Sequence, residues 1–429
     1  MRSKFKAIIL KKLQQRTKEF LAAHTQLKLI AVAGSVGKTS TRNAITTVLS
    51  SRLRVLSHSE NHNMEMSVPL AIMDIPYPEK VRSFFAWWRV LRMAKKRIKR
   101  AFAYDVIVIE LASDQPGDIM GFSSYLNPDI SVITAVAPEH MIAFKTIDAV
   151  ATEELSTGNF SKLVAINRDD IDGRYAEYLK TDSLDTYGMS GVAEYHFLVE
   201  KTTADGYCEG KLVTPEFGEQ QMTLHVLGEQ GVKAVIAGVL VGTKLGLTAA
   251  EVKQGAEAVR PVAGRMQPLR GLLSSLIIDD TYNSSPLAAK AALQVLYSFA
   301  ARPRIAILGS MNALGDISKA AHEELGRACD PTMLDWVITV GSEAEKYLAP
   351  AALAKGCQVK SFKTALDAGA FAHSVLRANS VVLVKGSQDG IFTEEAVKIL
   401  LHSTEDEKKL VRQSRAWLAH KQTFFSKFQ

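Results

Sequence analysis

The stretch IAVAGSVGKTSTRN, Ile30 to Asn43, constrains the fold more than any other part of this 429-residue chain. An apolar run enters a glycine turn and leaves through a segment of helical spacing, so strand, loop and helix follow in order. Gly34 and Gly37 permit tight turns and close approach of the backbone to an anion. The helix that follows aims its amide groups and positive dipole end at that anion. Lys38 can reach the terminal phosphates of a nucleotide, and the Thr39 hydroxyl can ligate Mg2+. Gly34, Ser35, Val36, Gly37, Lys38, Thr39 and Ser40 are therefore the candidate nucleotide contacts. The longer general form of this loop carries a glycine where this chain has Val32. A helix cap with an incidental lysine is the weaker reading, because the three elements stand in the required order.

Further apolar runs fit the same architecture. YDVIVIELAS, DISVITAVAP and KLVAINRDD read as buried strands separated by helix-like segments, which predicts a parallel sheet covered on both faces. Residues 185–228 instead alternate apolar and polar positions, as antiparallel strands do. Pro261, Gly264, Pro268 and Gly271 cluster at a boundary. Beyond them SSLIIDDTYNSSP, RIAILGSMNALGD, LDWVITVGS and SVVLVKGSQ are strand-then-loop units whose ends suit a ligand-binding carboxyl edge. The expected organisation is a basic helix over 1–27, a P-loop-type central domain over 28–263 with a small antiparallel subregion, and a Rossmann-like α/β domain over 264–429.

With 47% hydrophobic and 23% charged residues, the chain is ordinary globular material. No apolar run reaches transmembrane length, and the apolar stretch Ala7–Leu10 is too short for a secretory signal. Cys208, Cys329 and Cys357 lie too far apart for zinc spacing, and a reducing cytoplasm is the expected compartment. The net charge of +7 is uneven. Residues 1–20 carry +6 and residues 80–100 carry +9, so the rest of the chain sums to −8.

Seven segments, in order, extend the phosphate loop. They are ENHNMEMSVPLAIM (60–73), VIELASDQPGDI (108–119), NPDISVITAVAPEHMIAF (127–144), GRMQ (264–267), IIDDTYNSSP (277–286), ILGSMNALGDIS (307–318) and LVKGS (383–387). Together with GSVGKTST, this set resembles the Mur ligase superfamily and most closely its MurF branch, over roughly Leu27 to Leu400. The resemblance implies ATP-dependent amide formation. A substrate carboxylate attacks the γ-phosphate of ATP, and an amine then displaces phosphate from the acyl phosphate. It implies that Lys38 and Thr39 hold the phosphates and one Mg2+, and that Glu110 and His140 ligate a second. It implies that Asn61 or Asn63 orients the reacting groups and that Arg265 neutralises phosphate charge. It implies that Asp280 binds the ribose with Tyr282 and Asn283 beside it, and that Lys385 and Ser387 meet the amine substrate or the acyl phosphate. As a hard carboxylate ligand, Glu110 suits Mg2+ better than His140 does.

Three departures stand out. The lysine that becomes carbamylated in the family is replaced, fourteen residues after His140, by Glu154, and Glu154 or Glu153 is expected to supply the charge. The adenine-side asparagines are Gly231 and Ala234 within GEQGVKA. Only some 27 residues precede the first strand, where the MurF branch has a domain that grips a UDP-sugar, so the acceptor is the open point. The expected function is MurF-type ligation of an amino acid or dipeptide, D-Ala-D-Ala first among them, onto a cell-wall precursor. A superfamily ligase acting on a different acid, a cofactor or a polyamino acid, is the first alternative. A degenerate nucleotide-binding scaffold is the second.

The basic segments 1–20 and 80–100 mix cations with apolar residues, and helical spacing puts Phe84, Trp87, Trp88 and Leu91 on one face. Such helices can lie on anionic membranes. A lipid-linked precursor and membrane association would follow. Against this stands packing of the aromatics on the protein body. Nucleic acid is not an expected partner, since no fold for it is apparent.

Overall fold

The computed structural model describes residues 3–58, 63–203 and 205–428. Among them, nine strands form one sheet in the order β2-β3-β1-β4-β5-β6-β7-β8-β9. These are β1 (Lys28–Ala33), β2 (Val55–Leu56), β3 (Val106–Glu110), β4 (Ile130–Ile133), β5 (Leu163–Asn167), β6 (Leu184–Gly188), β7 (Tyr195–Thr202), β8 (Cys208–Thr214) and β9 (Gly218–Leu224). Strands β1 to β6 run parallel, and β1, β3 and β4 are almost wholly buried, as strands covered by helices on both faces must be. The small antiparallel subregion lies at one end of this sheet. β6 pairs with β7 in parallel, and β7-β8-β9 continue the same sheet as a meander.

Six strands build a second sheet in the order β10-β11-β15-β12-β13-β14. They are β10 (Gln267–Arg270), β11 (Leu276–Asp280), β12 (Arg304–Gly309), β13 (Trp336–Val340), β14 (Val359–Phe362) and β15 (Val381–Lys385). All neighbours are parallel except the edge strand β10, which pairs antiparallel with β11. This mixed α/β architecture, a central parallel sheet followed by a Rossmann-like one, is the one the apolar runs predict.

Packing explains the positions of the site elements. The phosphate-loop helix Lys38–Leu49 buries Ala44, Ile45, Val48 and Leu49. The helix Gly228–Lys244, apolar nearly all round, covers it. A Cβ at Gly255, on the helix Ala249–Ala258, would sit 2.6 Å from the Val48 Cα, so only glycine admits this approach.

The basic segments fold as two helices, Ser3–Ala23 and Phe84–Ile98, which pack on one another and on the first sheet. Ile9, Leu13 and Phe20 of the first are buried, as are Trp87, Val90 and Ala94 of the second. The face predicted from spacing is thus divided. Trp87 turns inward, and its indole donates to the Val81 carbonyl at 2.9 Å. Phe84 and Trp88 face solvent instead. The sequence offers two apolar stripes on this helix, and the narrower one, Trp87-Val90-Ala94, fills the space against the sheet. Among the described residues, no helix is long and apolar enough to cross a membrane.

Candidate active site

At the end of β1 the chain turns through Gly34 at φ +124° and Gly37 at φ +89°. A Cβ at Gly34 would lie 2.2 Å from Thr134 Oγ1, so the loop can pass the end of β4 only as glycine. Thr134 Oγ1 lies 2.6 Å from the Val36 carbonyl oxygen and 3.1 Å from that of Ala33. The Ser35 amide donates to the Ala135 carbonyl at 2.9 Å, and the Ser35 hydroxyl accepts from the Ala137 amide at 3.1 Å. The loop is therefore braced by the chain that leaves β4, while Gly37 starts the helix with no side-chain cap in its way. Its first amides are open to an anion.

Charges converge on this loop. Lys38 donates to the Gly34 carbonyl, and its Nζ stands 3.6 Å from Glu139. Burial opposes its charge, but Glu139, Glu154 and Glu110 outweigh that and hold its pKa above the ordinary lysine value, with Arg265 acting against them. The Thr39 hydroxyl donates to Glu110 Oε2 at 3.2 Å, and Arg42 stands 3.3 Å from Glu110 Oε1. Glu154 lies beneath the loop and accepts the Gly34 amide at 2.7 Å. Burial raises its pKa and drives that of its hydrogen-bonded neighbour Glu139 up to about 8. The pair keeps a proton near neutral pH, since two adjoining carboxylates out of water do not both ionise readily. Glu153, the alternative to Glu154, is taken up elsewhere. It accepts from the Ser113 hydroxyl and from the amides of Gly117 and Ile119, at 2.7 to 2.9 Å, and so fixes the turn after β3. His140 has a left-handed backbone at φ +47°, is partly exposed, and lies 3.6 Å from Asp114.

The second sheet presents its loop from the other side. Lys385, at the end of β15, is buried and meets Asp280 of the neighbouring β11 at 2.6 Å. It also donates to the Asn283 carbonyl at 3.0 Å. Asp280 Oδ1 accepts the Met266 amide at 3.2 Å. Asp279, beside it, accepts from the Thr281 amide and hydroxyl and from the Gly264 amide, and burial raises its pKa to about 6. Arg265 lies over the Tyr282 ring at 3.9 Å. Its Nε is buried without a hydrogen-bond partner among the described residues. Ser387 is buried and accepts the Asn312 amide at 2.9 Å.

One cavity of about 700 Å3 joins these two sides. It is lined by Ser35, Val36, Gly37, Lys38, Thr39, Ser40, Asn63, Glu110 and His140 from the first, and by Arg265, Asp280, Tyr282, Asn283 and Lys385 from the second. Gly34 and Glu154 sit behind its wall, and Asn61 falls outside the described residues. Gly231 and Ala234 line it with no side-chain amide to offer a base, and the nearby Gln230 donates to Asp170 at 3.1 Å.

Four residues escape sequence reasoning. Glu139 stands next to His140 in a quoted motif, yet its meeting with Glu154 depends on tertiary packing. Arg42 is one helical turn beyond Lys38, a spacing that could have marked it. Thr134 looks like any β-branched residue at a strand end. Arg412 carries no local signal. Its guanidinium reaches the Thr281 carbonyl at 2.6 Å and the Tyr282 carbonyl at 3.0 Å, and it grips the fully buried Glu394 through two bonds.

Comparison with known proteins gives the same frame. The sequence signature described as the Mur ligase middle domain matches residues 32–242. That of the Mur ligase, glutamate ligase domain, matches residues 264–388. The UDP-N-acetylmuramoyl-tripeptide–D-alanyl-D-alanine ligase of Bacillus subtilis is 26% identical over 399 residues, covering 91% of this chain and 79% of its own length. Its Haemophilus influenzae counterpart is 28% identical over 330 residues, covering 74% of this chain and 64% of its own length. Among solved structures, MurF from Acinetobacter baumannii superposes with a TM-score of 0.74 at 24% identity, over 90% of this chain and 79% of that one. MurF from Thermotoga maritima, solved with ADP, gives 0.74 at 22% identity, over 93% of this chain and 84% of that one. With both signature domains in order around a single cleft, the chain belongs to the Mur ligase family.

Proposed function

We propose that this chain is an ATP-dependent, ADP-forming acid–amino-acid ligase of MurF type, acting in the synthesis of a peptidoglycan precursor. The observation that carries this reading is the single cavity lined by the phosphate loop on one side and by Arg265 and the 280–283 loop on the other. Its size suits a nucleotide with a second ligand beside it.

The loop amides and Lys38 cradle the β- and γ-phosphates. Arg265, with an unpaired Nε and an aromatic platform, faces the charge that develops on the transferred phosphoryl group. A substrate carboxylate oxygen attacks the γ-phosphorus, and the bond to the β-γ bridging oxygen breaks as ADP leaves. The amine then attacks the acyl carbon, the C–O bond to phosphate breaks, and the amine's surplus proton leaves with solvent or phosphate. Holding the reactants in line supplies much of the acceleration. Asn63 is assigned to orienting the acceptor, and Asp280, Tyr282 and Asn283 to the ribose side. In this structure Lys385 braces that loop through Asp280 and Asn283. Its reading as a direct contact to the amine substrate requires the Asp280 pair to open.

Mg2+ fits the donors present. Thr39 and Glu110 offer hard oxygens beside the phosphate loop, and among the described residues Glu110 Oε1 accepts no hydrogen bond, with Arg42 3.3 Å away as an ion-pair neighbour. Among the described residues no three acidic, histidine or cysteine side chains form a complete cage. That suits an ion which completes its shell from phosphate and water. When bound, it neutralises phosphate charge. Thr39 is assigned to one ion, and Glu110 with His140 to a second. Glu154 acts from behind the loop, where it orients Gly34 and adds negative charge.

The partner is a small-molecule precursor. The finer reading adds a lipid-linked acceptor, approached with peripheral membrane contact through residues 1–20 and 80–100. Phosphate release from ATP tests the whole assignment. It is screened with UDP-N-acetylmuramoyl-tripeptide, a lipid-linked tripeptide and unrelated acids, each with D-alanyl-D-alanine. Stimulation by a muramoyl tripeptide supports the reading. Stimulation only by an unrelated acid reassigns the substrate, and no stimulation at all favours a nucleotide-binding scaffold.

A further inference from the structure

We infer that the outer face of the helix Phe84–Ile98, with the start of the helix Ser3–Ala23 beside it, is a docking surface for an anionic lipid bilayer. This deepens the partner reading above and rests on it only for the nature of the acceptor.

The inner stripe of the helix, Trp87, Val90 and Ala94, is buried in the protein. The opposite stripe is left uncovered and changes character along its length. At its N-terminal end Phe84 is 61%, Phe85 79% and Trp88 52% exposed. Large aromatic side chains exposed to this degree cost free energy in water unless something covers them. Phe84 packs edge-on against Phe85 and lies 6.0 Å from Phe5, so the patch runs onto the neighbouring helix. One turn beyond Phe5, Ile8 is 55% exposed.

Further along the same outer face stand Arg92, Lys95, Lys96 and Lys99, flanked by Arg89 and Arg100, all exposed. Among the described residues none of these six has a carboxylate within salt-bridge distance. Arg97, which turns inward, pairs with Asp74 instead. Residues 80–100 contain no acidic side chain at all, although the chain outside the two basic segments sums to −8. A neutral apolar partner would cover the aromatics but leave the six cations unpaired, and a cationic one would be repelled by them. A flat anionic surface with an apolar layer beneath it matches both halves. Phe84, Phe85 and Trp88 sink to the depth of the headgroups and upper acyl chains, while the cations sit among lipid phosphates. Arg92 already lies over the Trp88 ring at 5.5 Å, which lets this cation accompany the ring into the interface.

The test is sedimentation of the full chain with sucrose-loaded vesicles of phosphatidylcholine alone, or of phosphatidylcholine with phosphatidylglycerol. It is read alongside ATP binding in solution. The expected result is pelleting with the anionic vesicles only, weakened by salt. The exposed substitutions R92E/K96E should reduce vesicle affinity tenfold or more, since each cation near an anionic surface is worth about fivefold, and F85S/W88S should also reduce it by removing the apolar area that enters the interface. All variants should keep nucleotide affinity unchanged, which excludes misfolding as the cause. Equal recovery in the supernatant with both vesicle types overturns the inference, as does unaltered pelleting of both double variants. Pelleting that single-stranded DNA abolishes and F85S/W88S leaves intact also overturns it, because the face would then be a general polyanion site. Binding is read here rather than ligation, so failure of this surface and failure of the ligase assignment are distinguishable.

Discussion

The two walls of the cleft hold their functional groups in opposite ways. On the first sheet, Gly34 and Gly37 clear a space. The helix amides point into it, and Lys38 waits among carboxylates that exceed it in number. On the second sheet the groups are already spent on one another. Lys385 is bound to Asp280, Arg412 to Glu394 and to the loop carbonyls, and Arg265 rests on Tyr282. On the function proposed above, the first wall receives a phosphate and a cation. The second is a rigid frame that presents one guanidinium. An open, electrostatically unbalanced wall gains most from ligand binding, and a self-paired wall gives geometry.

Substitutions separate the two. Lys38→Ala should be the most severe, lowering kcat for acceptor-dependent phosphate release by about 10^3-fold or more, because a phosphate charge loses its lysine. Arg265→Ala should cost about 10^2-fold in kcat while equilibrium nucleotide affinity changes little, as suits a group acting on the transition state. Equal losses in affinity and in kcat would make Arg265 an ordinary binding residue and blur the contrast.

Behind the first wall, Glu154→Ala should raise the Mg2+ concentration needed for half-maximal ATP binding by about tenfold, measured by titration calorimetry. Glu153→Gln should leave that value alone and instead lower the unfolding midpoint, since it weakens the turn after β3. Unchanged Mg2+ dependence in Glu154→Ala removes the charge-replacement idea.

Behind the second wall, Arg412→Ala and Lys421→Ala both strip a partner from buried Glu394 and should destabilise alike, by about 3 kcal/mol. Only Arg412 reaches the Thr281 and Tyr282 carbonyls, so only Arg412→Ala should raise the nucleotide KM, by about tenfold. Matching KM values in the two variants would reduce Arg412 to a structural residue.

The remaining effect is one of pH. Burial raises Asp279 from 3.8 to about 6, so its contribution to stability is complete below 3.8 and is lost as pH rises through about 6. The loss is on the order of 3 kcal/mol. Urea midpoints at pH 4 and pH 7 should show this fall in the parent and a flatter profile in Asp279→Asn.

What the sequence made legible follows from where the information sits. The phosphate loop reads from Gly34 to Ser40 alone, because backbone geometry demands glycine at fixed places. The strands read from unbroken apolar runs, because parallel strands are buried on both faces. The Glu139–Glu154 pair does not read, since a loop residue and a helix residue meet only through packing. Arg412 does not read either, being 130 residues from the Tyr282 carbonyl that it holds. The helix Phe84–Ile98 was half legible. Its amphipathic character shows in the spacing, but Trp87 and Trp88 are neighbours of the same type, and only packing decides which one enters the core.

The central claim is that an acceptor carboxylate attacks the γ-phosphate of ATP across this cleft. It is tested most directly by labelling that carboxylate with 18O in UDP-N-acetylmuramoyl-tripeptide and weighing the phosphate released in the presence of D-alanyl-D-alanine. The account predicts one 18O atom carried from the acceptor into each phosphate, with the transfer lost in Lys38→Ala. Release of unlabelled phosphate alone would mean that water is the nucleophile, and would contradict it.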